Sequence, residues 1–126
     1  MKFLTKKQIF DKVKHHLLTQ NEKCVSKNGD CKYRNKNLKC AVGVLIHDEL
    51  YTPEIEDTIL CLQKNDNYNK YYLLQETLYQ SNIDVADEEI RNMINVLQRV
   101  HDCYWINEWE SKLSILEREW FNGNKQ

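Results

Sequence analysis

The stretch CVSKNGDCKYRNKNLKCAVGVLIHDELYTP, residues 24–53, decides the fold that the sequence predicts. It holds three of the five cysteines and two of the three glycines, and it is the only segment without the pattern of an amphipathic helix. Its Asn-Gly pair and its later Asn-Lys-Asn triplet are typical of turns. We therefore expect a short two-stranded ribbon that leads directly into a buried segment.

The second half of this stretch predicts a β-hairpin at about 31–40, followed by the apolar run 40–46. We expect Asn37 to take the left-handed backbone conformation at the tip of the hairpin. The apolar run has no polar alternation, so its period does not distinguish a strand from a helix. Ala41 and Gly43 are small, which favours close packing of the backbone at this point.

Amphipathic helical patterns cover most of the remaining chain. Capping boxes at Thr5–Gln8 and Asn107–Glu110 mark the starts of two helices. The predicted helices cover 5–20, 53–63 and 68–79, a segment that begins after Asp84 or Asp87, and a last helix that stops at Gly123. The sequence thus predicts one domain, residues 1–126, of mainly α (α+β) class, with five or six helices packed around the hairpin.

The composition is that of a folded domain, since 41% of the 126 residues are hydrophobic and glycine and proline are scarce. No apolar run reaches the roughly 18 residues that span a bilayer, and the opening MKFLTKKQIFDKVKHH is too charged for a signal peptide. We expect a cytoplasmic protein that does not contact membranes. Its five widely spaced cysteines are then expected to be free thiols.

Charge is distributed unevenly along the chain. Residues 1–40 carry 11 Lys/Arg against 3 Asp/Glu, whereas residues 41–126 carry 7 against 16. Either the basic part attracts an acidic partner, or the two parts neutralise each other in the folded chain.

The block CxYR…LKCAxGxLI, formed by Cys31–Arg34 and Leu38–Ile46, carries a resemblance to a known family. With the opening QIFDKV and a late HD segment followed by Trp109, it resembles small uncharacterised proteins from bacteriophage and bacterial genomes. That family usually has a glycine near Asn37 and a proline at His47, so this chain lacks the helix stop at His47. The resemblance implies a phage-type accessory protein, located in the host cytoplasm, that binds and modulates a host protein such as a defence or nucleic-acid enzyme.

A cysteine nucleophile is the sharpest enzymatic hypothesis. Cys40 lies near the expected start of a helix, whose dipole lowers the pKa of a thiol, and His101 with Asp102 would supply a base and its acidic neighbour. In the competing interpretation Cys40 is a small core residue, since cysteine is among the most buried residue types, and His101 is a satisfied imidazole on an apolar face. Adjacent residues on a helix also point about 100° apart, so Asp102 is not expected to orient His101. An alternative is a small enzyme or nucleotide-binding module that uses Cys40, Arg34 and His101.

A zinc site would use Cys24, Cys31, Cys40 and His101 as a Cys₃His set. The spacings of these cysteines lack the short C-x₂₋₄-C pair of structural zinc sites, so free or buried thiols are the competing interpretation. The sequence predicts no cofactor.

The basic hairpin supports binding of nucleic acid or a nucleotide. Lys32, Tyr33, Arg34, Lys36 and Lys39 place cations beside one aromatic ring. The pI of about 6.4 is far from that of a basic domain. In the competing interpretation Tyr33 packs in the core and Arg34 pairs with an acid from residues 41–126.

Protein binding without catalysis is the function that the sequence favours. The chain has no phosphate loop, paired-carboxylate signature or recognisable triad, and its three tryptophans are too large to be buried together easily in a small core. Exposed aromatic residues are common anchors of protein interfaces, although they also cap thin helical cores. The predicted binding residues are Tyr33, Arg34, Lys36, Lys39, Trp105 and Trp109.

Overall fold

The computed structural model describes residues 2–57 and 68–122, and within these ranges five α-helices surround a two-stranded antiparallel sheet. The elements are α1 (Lys6–Gln20), β1 (Arg34–Asn35), β2 (Leu38–Lys39), α2 (Ala41–Leu45), α3 (Tyr68–Gln80), α4 (Glu88–Cys103) and α5 (Trp109–Glu117). Short 3-10 turns cover Asp48–Leu50, Pro53–Asp57 and Ile106–Glu108, and a π-helical turn, Arg118–Asn122, follows α5. The predicted mainly α fold around a hairpin is confirmed. The rest of the helix predicted over 53–63 and the predicted stop at Gly123 lie outside the described residues.

Helix α1 begins at the predicted capping box. The Thr5 hydroxyl accepts from the Gln8 N–H at 3.1 Å, and the Gln8 side chain accepts from the Thr5 N–H at 2.9 Å. For α4, Asp87 rather than Asp84 is the cap, since its carboxylate accepts from the Glu89 N–H at 2.8 Å. Both caps satisfy amides that the first helical turn leaves without partners.

The capping box predicted at Asn107–Glu110 is wrong. A 3-10 turn precedes α5, and within it the Glu108 carboxylate accepts from the Trp105 N–H at 3.0 Å. The capping hydrogen bond therefore lies two residues earlier than predicted. Its acceptor is the Glu108 carboxylate and not that of Glu110, and its donor is the Trp105 N–H.

The hairpin pairs Arg34 with Lys39 and Asn35 with Leu38. Lys36 has a φ of 59°, so Lys36, and not Asn37 as predicted, takes the left-handed conformation. The pairing of Asn35 with Leu38 leaves Lys36 and Asn37 as the loop. The first of these two residues takes the left-handed conformation that a two-residue turn requires.

The apolar run after the hairpin is helical. Cys40 is the N-cap of α2, and its Sγ accepts from the Gly43 N–H at 3.3 Å. Its own N–H donates to the Tyr33 carbonyl at 3.0 Å, which joins the hairpin directly to α2.

Helix α2 lies in the core and packs against both α1 and α4, which also contact α5. Leu74 and Leu78 of α3 are buried, whereas Leu73 is half-buried. The other buried apolar side chains come mainly from four helices: Ile9, Phe10, Val13, Leu17, Ala41, Val42, Leu45, Ile90, Met93, Ile94, Leu97, Val100, Trp109 and Leu113. No helix in the described ranges has the length and apolar character needed to cross a bilayer.

Ion pairs join the basic and acidic parts of the chain. Lys7 and Lys14 of α1 each lie 2.7 Å from the Glu117 carboxylate of α5. Lys6 pairs with Glu89. Part of the charge asymmetry is therefore neutralised by folding.

Glu117→Gln is expected to lower the free energy of unfolding by at most about 1 kcal/mol at neutral pH, because both lysines remain partly exposed. Hydrogen bonds from Lys14 and Lys7 lower the pKa of Glu117 to about 2 from an ordinary value of 4.5. The contribution of the Glu117 carboxylate to the free energy of unfolding is thus complete above pH 4.5 and is lost as the pH falls toward 2. Urea unfolding across this pH range measures the difference between wild type and variant, which should vanish at the acid end. Glu119→Gln, an exposed neighbour, is the control, and a difference for Glu117→Gln that persists at the acid end contradicts this account.

Candidate functional site

Cys40, the predicted nucleophile, is completely buried. Burial raises the pKa of its thiol well above the ordinary range, so the expectation that the helix dipole lowers it is wrong. The physical reason is that α2 has only five residues and a weak dipole, whereas desolvation of a thiolate in the core is large. Cys40 is a structural N-cap in this position.

His101, the predicted base, is also completely buried and uses both ring nitrogens within the fold. Its Nε2 lies 2.9 Å from the Cys24 N–H, and its Nδ1 lies 2.7 Å from the Asp102 carboxylate. The ring stacks on Trp109, with 5.6 Å between the ring centroids. Asp102 therefore does orient His101, contrary to the expectation from their 100° separation, because the short carboxylate side chain bends back to its neighbour's Nδ1.

The tautomer of His101 follows from these contacts. A backbone N–H is always a donor, so Nε2 must present its lone pair to Cys24. The proton then resides on Nδ1 and is donated to Asp102. A neutral imidazole held in this way has no free lone pair to accept a proton from a substrate.

Asp102 links His101 to the surface. Burial alone would raise the pKa of Asp102, but hydrogen bonds from His101, Cys31 and Gln98 outweigh it and lower that pKa. Partial burial, followed by the Asp102 charge, raises the pKa of Cys31 to about 11. Cys31 is exposed and remains a protonated thiol at neutral pH, which makes it a poor nucleophile.

The predicted zinc set is only partly brought together. The possible ligand atoms of Cys31, His101 and Asp102 lie within 4.8 Å of one another, and this group includes neither Cys24 nor Cys40. The Cys24 thiol instead donates to the Leu38 carbonyl at 3.3 Å. A metal on Nδ1 of His101 would have to displace the proton of that nitrogen, while Nε2 still accepts from the Cys24 N–H. The ring would then carry no proton at all, whereas a neutral imidazole always carries one.

Arg34 is held inside the fold. Its side chain is only 13% exposed, donates to the Gly43 carbonyl at 3.2 Å, and lies 2.8 Å from the Asp48 carboxylate. Its guanidinium carbon lies 5.1 Å from the centre of the Tyr51 ring. Arg34 thus pairs with an acid from the acidic part of the chain and stabilises the end of α2.

The other predicted hairpin residues differ in their exposure. Tyr33 is half-buried against the core, and Lys39 lies 3.2 Å from Asp48. Lys32 is half-buried, whereas Lys36 is fully at the surface. Of the predicted binding residues of the hairpin, Lys36 is therefore the most accessible cation.

The three tryptophans have three different environments. Trp109 is 0% exposed and packs in the core, so its assignment as a binding residue is wrong. Trp120 is half-buried and contacts Phe10 edge to face, with centroids 5.9 Å apart. Trp105 is 75% exposed, the largest exposed fraction among the large apolar side chains described. Trp109 is buried because α5 packs on α4, where its ring stacks on His101.

Trp105 is turned outward by its neighbours. Tyr104 and Ile106 both pack against the core, which leaves the intervening side chain in solvent. The Lys23 ammonium lies 5.9 Å from the centre of the Trp105 ring, and the Lys112 ammonium lies 4.7 Å from that of Tyr104. We call Lys23, Tyr104, Trp105 and Lys112 the Trp105 face. Sequence reasoning missed both lysines because Lys23 and Lys112 are far from Tyr104 and Trp105 along the chain. The two adjacent aromatic residues at the end of a helical pattern were a signal that could have indicated this surface.

A groove of about 460 Å³ was also missed. It lies where the start of α1, the first half of α4 and the π-helical turn meet, and it is lined by Lys6, Glu89, Asn92, Met93, Val96, Trp120 and Phe121.

Comparison of the chain with models of known protein families, with curated proteins and with solved structures gives no match.

Proposed function

We propose that this chain is a non-catalytic binding protein that recognises another protein through the Trp105 face. In line with the resemblance of its CxYR…LKCAxGxLI block, we propose a phage-type accessory protein that binds and modulates a host protein in the host cytoplasm. The observation that carries the proposal is a tryptophan that is 75% exposed on an ordered turn.

The energetics of an exposed tryptophan support this role. Tryptophan is enriched among the few residues that supply most of the energy of protein interfaces. The Glu108 carboxylate holds the Trp105 amide at 3.0 Å, and the packed neighbours Tyr104 and Ile106 fix the turn on both sides. Little conformational entropy is then lost when a partner covers the ring.

The charges around the ring indicate the chemistry of the partner. Lys23 and Lys112 lie over aromatic rings of the face, so each ammonium stays close to any surface that covers Trp105. We propose a partner surface with an apolar pocket for the indole and acidic groups at its rim.

The state of the reactive groups supports binding over catalysis. Cys40 is buried with a raised thiol pKa, and the lone pair of His101 is occupied by Cys24. Cys31 is accessible, but its pKa of about 11 keeps it protonated. An activated nucleophile needs the opposite shift.

Trp105→Ala is expected to weaken capture of the partner by about 30-fold, which corresponds to about 2 kcal/mol for an interface anchor. The tagged protein is used to capture partners from bacterial lysate, and bound proteins are quantified by mass spectrometry. Ile115→Ala is the matched control, because Ile115 is another exposed apolar side chain. If wild type and Trp105→Ala capture equal amounts of a partner, the Trp105 face is not part of the interface with that partner.

A second variant separates binding from thiol chemistry. Cys40→Ser keeps an N-cap acceptor for the Gly43 amide and is expected to retain partner capture. If this variant folds, as judged by circular dichroism, yet loses all partner capture, the proposal of a non-catalytic binder fails.

A further inference from the structure

A second cavity, separate from the Trp105 face, lies between the loop after α1 and the hairpin. Its volume is about 540 Å³, within the range of sites for small molecules. It is lined by Val25, Ser26, Lys27 and Asn28 of the loop and by Asn35, Lys36 and Leu38 of the hairpin.

The loop side of this cavity is tied together by its own hydrogen bonds. The Ser26 hydroxyl oxygen accepts from the N–H groups of Asn28 and Asp30, each at 3.3 Å. The Ser26 N–H donates to the Asp30 carbonyl at 2.8 Å, and Gly29 turns the chain with a φ of 86°. Since the Ser26 oxygen already accepts two hydrogen bonds, its own proton remains to be donated.

The hairpin side is joined to the loop. The Asn35 side-chain amide donates to the Val25 carbonyl at 2.5 Å, and Val25 also forms a bridge with Cys31. This bond engages the side-chain nitrogen of Asn35 and fixes the distance between the loop and the hairpin. The loop and the hairpin are thus held together by the chain's own hydrogen bonds.

The charges that line the cavity are positive. Lys27 and Lys36 are exposed, and in the part of the chain that the structure describes neither forms an ion pair, unlike Lys7, Lys14 and Lys39. Among the residues that the structure describes, no carboxylate lines the cavity. The acid closest to it along the chain is Asp30, whose side chain is exposed and is not among the lining residues.

The backbone at Lys36 adds a second observation. Its φ of 59° is a left-handed conformation that glycine or asparagine adopts at lower cost, and an asparagine is the very next residue. The chain instead places a lysine at the strained position, on the wall of the cavity. The two-residue turn requires this conformation of its first residue, so the turn fixes the position of Lys36 on this wall.

We propose that this cavity binds a phosphate ester of about mononucleotide size. Lys27, Lys36 and the Ser26 hydroxyl would hold the phosphate, since two ammonium groups and a hydroxyl donor suit an anion. Val25 and Leu38 would contact the less polar part of the ligand. This site differs from the sequence prediction, because Arg34 and Lys39 are engaged with Asp48 and take no part.

The test is a titration of the ¹⁵N-labelled protein with adenosine monophosphate and, separately, with inorganic phosphate at low ionic strength, followed by amide chemical shifts. We expect the shifts to concentrate at Ser26–Asn28 and Asn35–Lys36, with tighter binding of the nucleotide than of phosphate. The double variant Lys27→Gln/Lys36→Asn should bind the nucleotide at least tenfold more weakly. Asparagine at 36 tolerates the left-handed backbone, so this variant keeps the turn.

The control removes the same number of charges elsewhere. Lys2→Gln/Lys12→Gln alters two exposed lysines that do not line the cavity and should change the affinity less than twofold. Equal weakening in both double variants, or no binding of either probe at millimolar concentration, overturns the proposal. Equal affinity for phosphate and the nucleotide overturns the ester part of it. A single-stranded oligonucleotide that binds while the mononucleotide does not would indicate an extended nucleic-acid surface and would also overturn it.

Discussion

Gly43→Ala is expected to lower the free energy of unfolding by roughly 3 kcal/mol or more, as severe overpacking does. An added Cβ would lie 1.9 Å from the Tyr33 carbonyl oxygen and 2.8 Å from its carbon. These are backbone atoms, and the same oxygen accepts from the Cys40 N–H at 3.0 Å. The hairpin would have to separate from α2 to admit the methyl group, and urea unfolding followed by circular dichroism measures the cost.

Gly29→Ala is the control for this experiment. Gly29 has a φ of 86°, but nothing lies within 4 Å of an added Cβ. Its substitution should therefore cost only about 1 kcal/mol, from the left-handed backbone alone. Equal losses for the two variants would show that contact with Tyr33 is not what requires glycine at position 43.

His101→Ala is expected to be the other strongly destabilising change, with a loss of about 3–4 kcal/mol in the free energy of unfolding. The variant leaves the buried Cys24 N–H without its acceptor and removes the ring that stacks on Trp109. Urea unfolding gives the total. Hydrogen exchange at the Cys24 amide reports the lost bond directly, because its protection should fall by more than the loss of overall stability accounts for.

Two further variants separate these effects. His101→Phe keeps much of the ring volume and should lose about 1–3 kcal/mol, the cost of an unsatisfied buried amide. Asp102→Asn leaves an oxygen that accepts from Nδ1 and should cost about 1 kcal/mol. If the free energy of unfolding of His101→Ala lies within about 1 kcal/mol of that of the wild type, the imidazole is not a structural acceptor for the Cys24 N–H.

Local signals in the sequence predicted much of the fold. The capping box at Thr5 and Gln8 and the apolar stripe of α4 depend on residues three or four positions apart, which interact whatever the rest of the chain does. The Asn-rich turn predicted the hairpin, although the left-handed residue is Lys36 and not Asn37. Turn composition identifies the turn more reliably than the conformation of each residue in it.

The candidate site was less predictable because it depends on contacts between distant residues. Trp109 is buried where α5 packs on α4, and Trp105 is exposed because Tyr104 and Ile106 on either side of it pack against the core. No local pattern of two tryptophans reveals this difference. The Asp48 partner of Arg34 lies beyond the whole of α2 in the chain. The sequence offered two interpretations of Arg34 and of His101, a ligand contact or a partner within the fold. The structure shows the second for both, since Arg34 pairs with Asp48 and both ring nitrogens of His101 are hydrogen-bonded.

The hydrogen bond between Cys24 and His101 also bears on how the chain folds as it is synthesised. The two residues are 77 positions apart, so the Cys24 amide leaves the ribosome long before its acceptor exists. Until α4 emerges, that amide stays hydrated, and α1 and α2, although they contact each other, lack the surface of α4 that also covers them. A nascent chain of this protein therefore gains little from folding stepwise, and we infer that the domain assembles in one cooperative event only after α4 has emerged.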